Sequence, residues 1–249
     1  MSEKTVLITG ASRGIGAATA RLLASQNYNV CLNYLRQTQC AEQLSTELRQ
    51  QGCNTLLLQA DVSQEQQVTE MFRTIDDTFG PLTHLVNNAG ILKPQMRLQD
   101  MNAARINEIL TTNVTSYFLC CREAIARMSA AHGGKGGAIV NVSSVAARTG
   151  SPGEYIDYAA SKGAIDTLTT GLATELAAEG IRVNGVRPGF IYTDMHRDGG
   201  EPARIERLKP AIPMQRGGQP EEVAEAIAWL LSDKASYTTG SFIDLAGGK

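Results

Sequence analysis

The chain has 249 residues, 43% hydrophobic and 19% charged, which suits a soluble globular protein with a sizeable core. Its 23 Lys and Arg stand against 25 Asp and Glu, a net charge of −2, and no basic excess recommends nucleic acid or a membrane surface as a partner. Cys31, Cys40, Cys53, Cys120 and Cys121 form no C-x-x-C, which argues against a metal cluster or a disulfide framework and for reduced thiols.

Met1-Ser2-Glu3-Lys4 leads directly into an apolar run. That lead is too short for a signal peptide, and no stretch reaches transmembrane length, so the cytoplasm is the default expectation. The run at 5–9 predicts a strand, Gly10-Ala11-Ser12-Arg13-Gly14-Ile15-Gly16 a turn, and 17–26 a helix. The alternation continues with strands at 28–34, 54–59 and 82–86 and helices at 40–51 and 64–79. A long helix is expected over 102–131, a loop at 133–137 and a strand at 138–143. A helix at 155–179, a strand at 181–186, a helix at 220–231 and a strand at 241–245 complete the series. Short apolar strands alternating with helices imply a parallel sheet covered on both faces: a Rossmann-type, doubly wound α/β fold of about seven strands. No linker divides the chain, so 1–249 reads as one domain. The irregular segment 191–218, with Pro202, Pro210 and Pro213, has the length of a substrate lid.

Several positions invite chemistry, and each has an ordinary structural reading beside it. Gly10, Gly14 and Gly16 fall where a missing Cβ lets backbone approach a pyrophosphate at a helix N-terminus; a tight turn alone would also explain them. Asp61 could accept from an adenine amino group or cap the next helix. Asn87-Asn88-Ala89-Gly90 follows the fourth strand, where open α/β sheets bind ligands, and also suits a turn. Asn113 is a poor helix former inside the long predicted helix, where it could bend the helix and hold a water, or be one satisfied buried amide. Ser143-Ser144 closes the fifth strand. Tyr158 and Lys162, four residues apart, share one helix face. A fixed positive charge there lowers the pKa of the phenol and makes it a plausible acid–base group. The histidines His84, His132 and His196 have no ligand-like spacing, and no metal is expected.

Together these motifs resemble the short-chain dehydrogenase/reductase family, over nearly the whole chain. Thr9-Gly10-Ala11-Ser12-Arg13-Gly14-Ile15-Gly16 is similar to its T-G-x-x-x-G-x-G, and Asn87-Asn88-Ala89-Gly90 to its N-N-A-G. Asn113, Ser144, Tyr158 and Lys162 match its catalytic set, and Pro188-Gly189-Phe190-Ile191-Tyr192-Thr193 its P-G-x-x-x-T. Ser144 lies 14 residues before Tyr158, one more than the family's usual spacing, which an insertion within 148–157 absorbs; Ser143 would deviate further.

The resemblance implies an oxidoreductase that moves hydride between a nicotinamide and a carbonyl or alcohol. Tyr158 would move the proton, Lys162 would tune it and contact the ribose, Ser144 would hold the reacting oxygen, and Asn113 would anchor a relay water. Ile191 and Thr193 would fix the carboxamide, and Asn87 would lie near the ribose. Ser12, Ile15, Asn33, Tyr34, Val62, Ala89, Gly90, Pro188 and Gly189 complete the expected cofactor contacts. A nucleotide-binding regulator on the same fold is the non-enzyme alternative. The second strand ends Leu32-Asn33-Tyr34-Leu35-Arg36 without an acid, and Arg13 and Arg36 stand nearby. NADP(H) is therefore expected in preference to NAD(H). The substrate is a small molecule, with 3-oxoacyl thioesters, sugars and other carbonyls all open. Thr174 precedes Glu175, where 3-oxoacyl carrier-protein reductases often carry a basic docking residue. A homotetramer is expected from the resemblance, with the run Tyr117-Phe118-Leu119-Cys120-Cys121 and the last strand as candidate contacts.

Overall fold

The computed structural model describes residues 4–249. Strands β1 (Thr5–Ile8), β2 (Asn29–Tyr34), β3 (Thr55–Gln59), β4 (His84–Asn87), β5 (Gly137–Val142), β6 (Ile181–Pro188) and β7 (Phe242–Leu245) form one parallel sheet in the order β3-β2-β1-β4-β5-β6-β7. Helices α1 (Gly14–Ser25), α2 (Thr38–Gln50), α3 (Glu65–Phe79), α4 (Ala103–Leu110), α5 (Ser116–Met128), α6 (Ala146–Thr149), α7 (Ile156–Leu176), α8 (Met195–Asp198), α9 (Arg204–Leu208) and α10 (Pro220–Leu231) connect them.

The period-2 geometry of a strand sends alternate residues to opposite faces. Val6 and Ile8 of β1 pack with Leu23 of α1, Leu48 of α2 and Ile227 of α10. Leu7, between them, packs on the other face with Phe72 of α3 and with Cys121 and Ala124 of α5. Each fully buried aliphatic or Phe side chain contributes about 1.5–3 kcal/mol, so both layers hold the sheet. The strand order reverses between β1 and β4, which opens a crevice at the carboxyl ends of those strands.

Two expectations need revision in detail. The long helix at 102–131 is broken: a π turn, Thr111–Thr115, separates α4 from α5, and Asn113 lies in it, fully buried. Segment 191–218 is partly helical (α8 and α9), and a parallel bridge between Ile191 and Gly218 ties its two ends together. No described helix is long and apolar enough to cross a membrane.

Candidate active site

The turn after β1 is built around left-handed backbone. Gly10 has φ +63° and Gly14 +55°, which glycine adopts without steric cost. At Gly16 close approach is the constraint: a Cβ there would stand 2.5 Å from the Gly10 carbonyl oxygen and 2.7 Å from Asn88 Nδ2. Asn88, on the loop after β4, donates to the Thr9 and Gly10 carbonyls at 2.9 and 3.1 Å. Thr9 Oγ1 accepts from the Asn88 and Ala89 amides at 2.9 and 3.0 Å. Asn33 locks the turn from the other side. It accepts from Gly10 N at 3.3 Å and donates to the Leu58 and Ala60 carbonyls. Arg13, the N-cap of α1, is extended and makes no side-chain cap bond, and the first turn carries no acid. This end of α1 therefore presents amides and positive potential to an anion. A cradle that a Cβ would fill, at an uncapped helix N-terminus, fits a dinucleotide pyrophosphate.

The second half of the site grows from α7. Asp157, buried, accepts from the Tyr158 amide at 2.9 Å and from Arg105 Nε at 2.8 Å. Arg105 in turn donates to the Pro94 carbonyl at 2.7 Å. This chain of bonds fixes the first turn of α7 and with it Tyr158. Ser144, two residues past β5, donates to the Pro188 carbonyl at 3.4 Å and accepts from Ala146 N at 3.1 Å, and its hydroxyl stands beside Tyr158, whose pKa it lowers. Ser143 points elsewhere, donating to the Lys162 carbonyl at 3.1 Å. Lys162 is 3% exposed. Its Nζ donates to the Val142 carbonyl at 2.8 Å and to Tyr117 Oη at 3.4 Å, and lies 5.7 Å from the Tyr158 ring centroid. Asn113 Oδ1 accepts from Ile91 N at 2.8 Å, and its Nδ2 donates to the Ile91 carbonyl at 3.0 Å and to Ser161 Oγ at 3.2 Å. Gly90 separates Asn113 from Lys162: a Cβ there would stand 3.4 Å from Asn113 Oδ1 and 3.8 Å from Lys162 Nζ.

Burial moves both reacting groups toward their neutral forms. Part of Tyr158 reaches solvent, but its hydroxyl end is enclosed, and desolvation pushes the phenol up to about 12 against the opposing hydrogen bond of Ser144. Desolvation pushes Lys162 down to about 7, while the Asp166 carboxylate pulls it up. Lys162 Nζ lies 5.7 Å from the Tyr158 ring centroid, close enough for its charge to act on the phenol.

The remaining expected residues divide into those at the crevice and those beneath it. Tyr34, Val62 and Ile191 are buried, and Arg36 is exposed beyond the end of β2. Asp61 Oδ1 accepts from the amide and hydroxyl of Ser63 at 2.9 and 2.7 Å, a turn role that leads into α3. Asn87, expected near the ribose, turns its side chain inward. It is 1% exposed, and its Nδ2 donates to Asn141 Oδ1 at 2.9 Å and to Cys121 Sγ at 3.2 Å, leaving Oδ1 without a partner. The Asn33 amide is likewise spent on the interior. Pro188 and Gly189 close β6 beside Ser144, which is 3.4 Å from the Pro188 carbonyl. Thr193 covers the Gly-rich turn: a Cβ on Gly14 would stand 3.2 Å from Thr193 Cγ2. Arg13, expected within reach of a 2′-phosphate, pairs with Asp198 and lies 3.5 Å from Asp194. A cavity of about 470 Å³ opens among Gly14, Thr193, Asp194 and Glu221, and Tyr158 does not line it. Among the described residues no group of three His, Cys, Asp or Glu side chains is placed to hold a metal. Thr9, Asn88, Asp157 and Tyr117 are the supporting residues that sequence reasoning passed over. Only Asn88 and Thr9 carried a signal, inside the two motifs.

Residues 10–249 match a family model described as Enoyl-(Acyl carrier protein) reductase. The crystal structure of a short-chain type dehydrogenase/reductase from Mycobacterium marinum superposes with a TM-score of 0.93 at 34% identity, covering 99% of this chain and 95% of that one. The chain belongs to the short-chain dehydrogenase/reductase family, and it is an oxidoreductase. Among this family's members, an uncharacterized oxidoreductase of Escherichia coli (strain K12) is 65% identical over 98% of both chains. A 3-oxoacyl-[acyl-carrier-protein] reductase of Staphylococcus aureus (strain Mu50 / ATCC 700699) is 39% identical over 98% of this chain and 97% of that one.

Proposed function

We propose that this short-chain dehydrogenase/reductase is an NADP(H)-preferring enzyme that interconverts a small carbonyl compound and its alcohol. The observation that carries the reading is Tyr158 beside Ser144, one helical turn from a buried Lys162, at the same carboxyl end of the sheet as the uncapped Gly-rich turn. A bound nicotinamide supplies or accepts the hydride. Ser144 and Tyr158 hold the substrate oxygen between two hydroxyls, and Tyr158 donates its proton as negative charge develops there. The Lys162 ammonium stabilises the phenolate that remains. Asn113, across Gly90 from Lys162, anchors a water through which the proton is restored. Gly10, Gly14, Ile15 and Gly16 would hold the pyrophosphate, Ser12, Asp61, Val62 and Tyr34 the adenosine end, and Asn87, Ala89, Gly90, Pro188, Gly189, Ile191 and Thr193 the nicotinamide half. Segment 191–218 is the substrate lid.

The NADP(H) preference rests on two bases, Arg13 and Arg36, and on the absence of an acid at the end of β2. A 3-oxoacyl thioester is the second substrate reading, favoured by the full-length similarity to the Staphylococcus aureus reductase. Thr174, where a basic docking residue would be expected, bonds to its own helix at the Thr170 carbonyl and favours a free carbonyl over a carrier-borne one. Free thiols at all five cysteines suit a cytoplasmic setting. A homotetramer is also part of the reading. Phe118, 51% exposed on α5, and the half-exposed edge strand β7 offer contact surface, whereas Tyr117, Cys120 and Cys121 face their own core. Sedimentation near the 26.7 kDa chain mass at micromolar protein would count against it. The test of function is turnover over a panel of carbonyls and alcohols, including a 3-oxoacyl thioester and glucose, with each nicotinamide. NADPH-dependent reduction of a small carbonyl supports the proposal; turnover with NADH alone refutes the cofactor preference.

A further inference from the structure

Arg13 carries its guanidinium at the rim of the phosphate cradle, yet that guanidinium is already engaged. Nη2 donates to an Asp198 carboxylate oxygen, and Nη1 lies 3.5 Å from Asp194 Oδ2. Both acids belong to the opening of segment 191–218: Asp194 is the N-cap of α8, and Asp198 is its last residue. Asp194 is also paired with Arg197 at 3.0 Å. Thr193, next to Asp194, rests on Gly14. The base of this segment is thus pinned to the Gly-rich turn at two adjoining points, one steric and one ionic. Arg13, Asp194 and Asp198 keep side-chain exposures of 38%, 43% and 41%. Ion pairs this exposed are weak, are screened by salt and exchange partners readily.

We propose that Asp194 and Asp198 are specificity-determining residues that act through Arg13. Without cofactor they latch the base of the lid to the Gly-rich turn, and a 2′-phosphate takes Arg13 from them and frees the lid. This rests on the reading that Arg13 meets the 2′-phosphate of NADP(H). A phosphate accepts a guanidinium in bidentate geometry and carries more charge than a carboxylate, so it competes well for the same fork. Three anions cannot share one guanidinium without mutual repulsion, so phosphate binding and the latch exclude each other. A cofactor lacking the 2′-phosphate has no such conflict and leaves the latch closed. Linkage makes the effect reciprocal: whatever weakens the latch strengthens phosphate binding by the same factor.

Calorimetric titration at fixed salt with 2′,5′-ADP and with 5′-AMP tests this, in the wild type, in Asp194→Asn/Asp198→Asn and in Arg13→Ala. The double variant should bind 2′,5′-ADP about three- to tenfold more tightly, as expected for the loss of two exposed competing pairs, and 5′-AMP within about twofold of wild type. Amide hydrogen exchange across 195–208 should rise in the wild type on adding 2′,5′-ADP, should not respond to 5′-AMP, and should already be raised in the free double variant. Unchanged 2′,5′-ADP affinity in the double variant, with a large loss in Arg13→Ala, would overturn the latch and leave the cofactor reading standing. Unchanged affinity in Arg13→Ala would remove the cofactor reading and the latch with it. Asp198→Asn alone should show part of the same gain, so the test survives misfolding of the double variant.

Discussion

Replacing Lys162 with Met should make the free protein more stable while removing its activity. The side chain is 3% exposed and its pKa falls from 10.5 to about 7, chiefly through desolvation. At pH 6 the folded chain must keep a charge that the unfolded chain holds without strain. The gap corresponds to about 5 kcal/mol lost from the stability of the fold. Met matches the stem and the volume without the charge. It also removes one of the two donors to the Val142 carbonyl, which keeps its 3.0 Å bond from Tyr117 Oη, and this costs about 0.5–1.5 kcal/mol. The net gain is about 4 kcal/mol, or roughly 8–16 °C in Tm for a chain of this size. Between pH 7 and 10.5 the unfolded chain binds the proton that the folded one has released, so wild-type stability rises with pH there and the advantage of Met shrinks. Thermal unfolding of the cofactor-free wild type and Lys162→Met, followed by circular dichroism at pH 6 and pH 9.5, measures both effects. A variant less stable than wild type at pH 6, or a gain that stays constant to pH 9.5, would refute the reasoning.

Ser144→Ala should lower kcat by about 100-fold, the scale of one lost oxyanion-directed donor. Ser143→Ala should change kcat only a few-fold and lose about 1 kcal/mol of stability with its bond to the Lys162 carbonyl; the reverse ranking in steady-state kinetics would move the assignment to Ser143. His84 is buried at the start of β4 and its pKa is lowered to about 4, first by desolvation. As pH falls from about 6.5 to about 4 the unfolded chain takes up a proton that the folded chain refuses, so about 3 kcal/mol of stability should be lost, and urea titration of His84→Gln should show a flatter acid limb. Gly16→Ala drives a Cβ into the Gly10 carbonyl and the Asn88 amide, and should cost about 1–3 kcal/mol of stability, seen as a lower urea midpoint.

The sheet was legible because its strands are short runs of Val, Ile and Leu between helical periods, and all seven predicted strands are present. The break in the long helix was not, because one extra residue in a π turn leaves the apolar pattern on either side intact. Asn113 marked the spot only as a poor helix former. Tyr117 read as one member of an apolar run, and only the fold shows that its hydroxyl donates to the Val142 carbonyl and accepts from Lys162. The ion pairs of Arg13 were invisible for a different reason. Asp198 is 185 residues away in the chain, and no local periodicity reports a contact of that separation. Asn87 shows the limit of a motif: its identity could be read, but not the direction its side chain takes, which is set by Asn141 and Cys121 beneath the crevice.

Tyr158→Phe tests the central claim, that this phenol moves the proton. The substitution leaves the ring in place and removes the hydroxyl beside Ser144. With the carbonyl that the wild type reduces fastest, kcat should fall at least about 1,000-fold, within the range that general acid–base groups supply, while the Kd for NADPH stays within about twofold. Tyr155→Phe, three residues earlier, is the control. That hydroxyl reaches the Gly199 carbonyl at 3.4 Å, and its ring lies under Arg204, so most activity should remain. Substantial residual kcat in Tyr158→Phe, with cofactor still bound, would contradict the account.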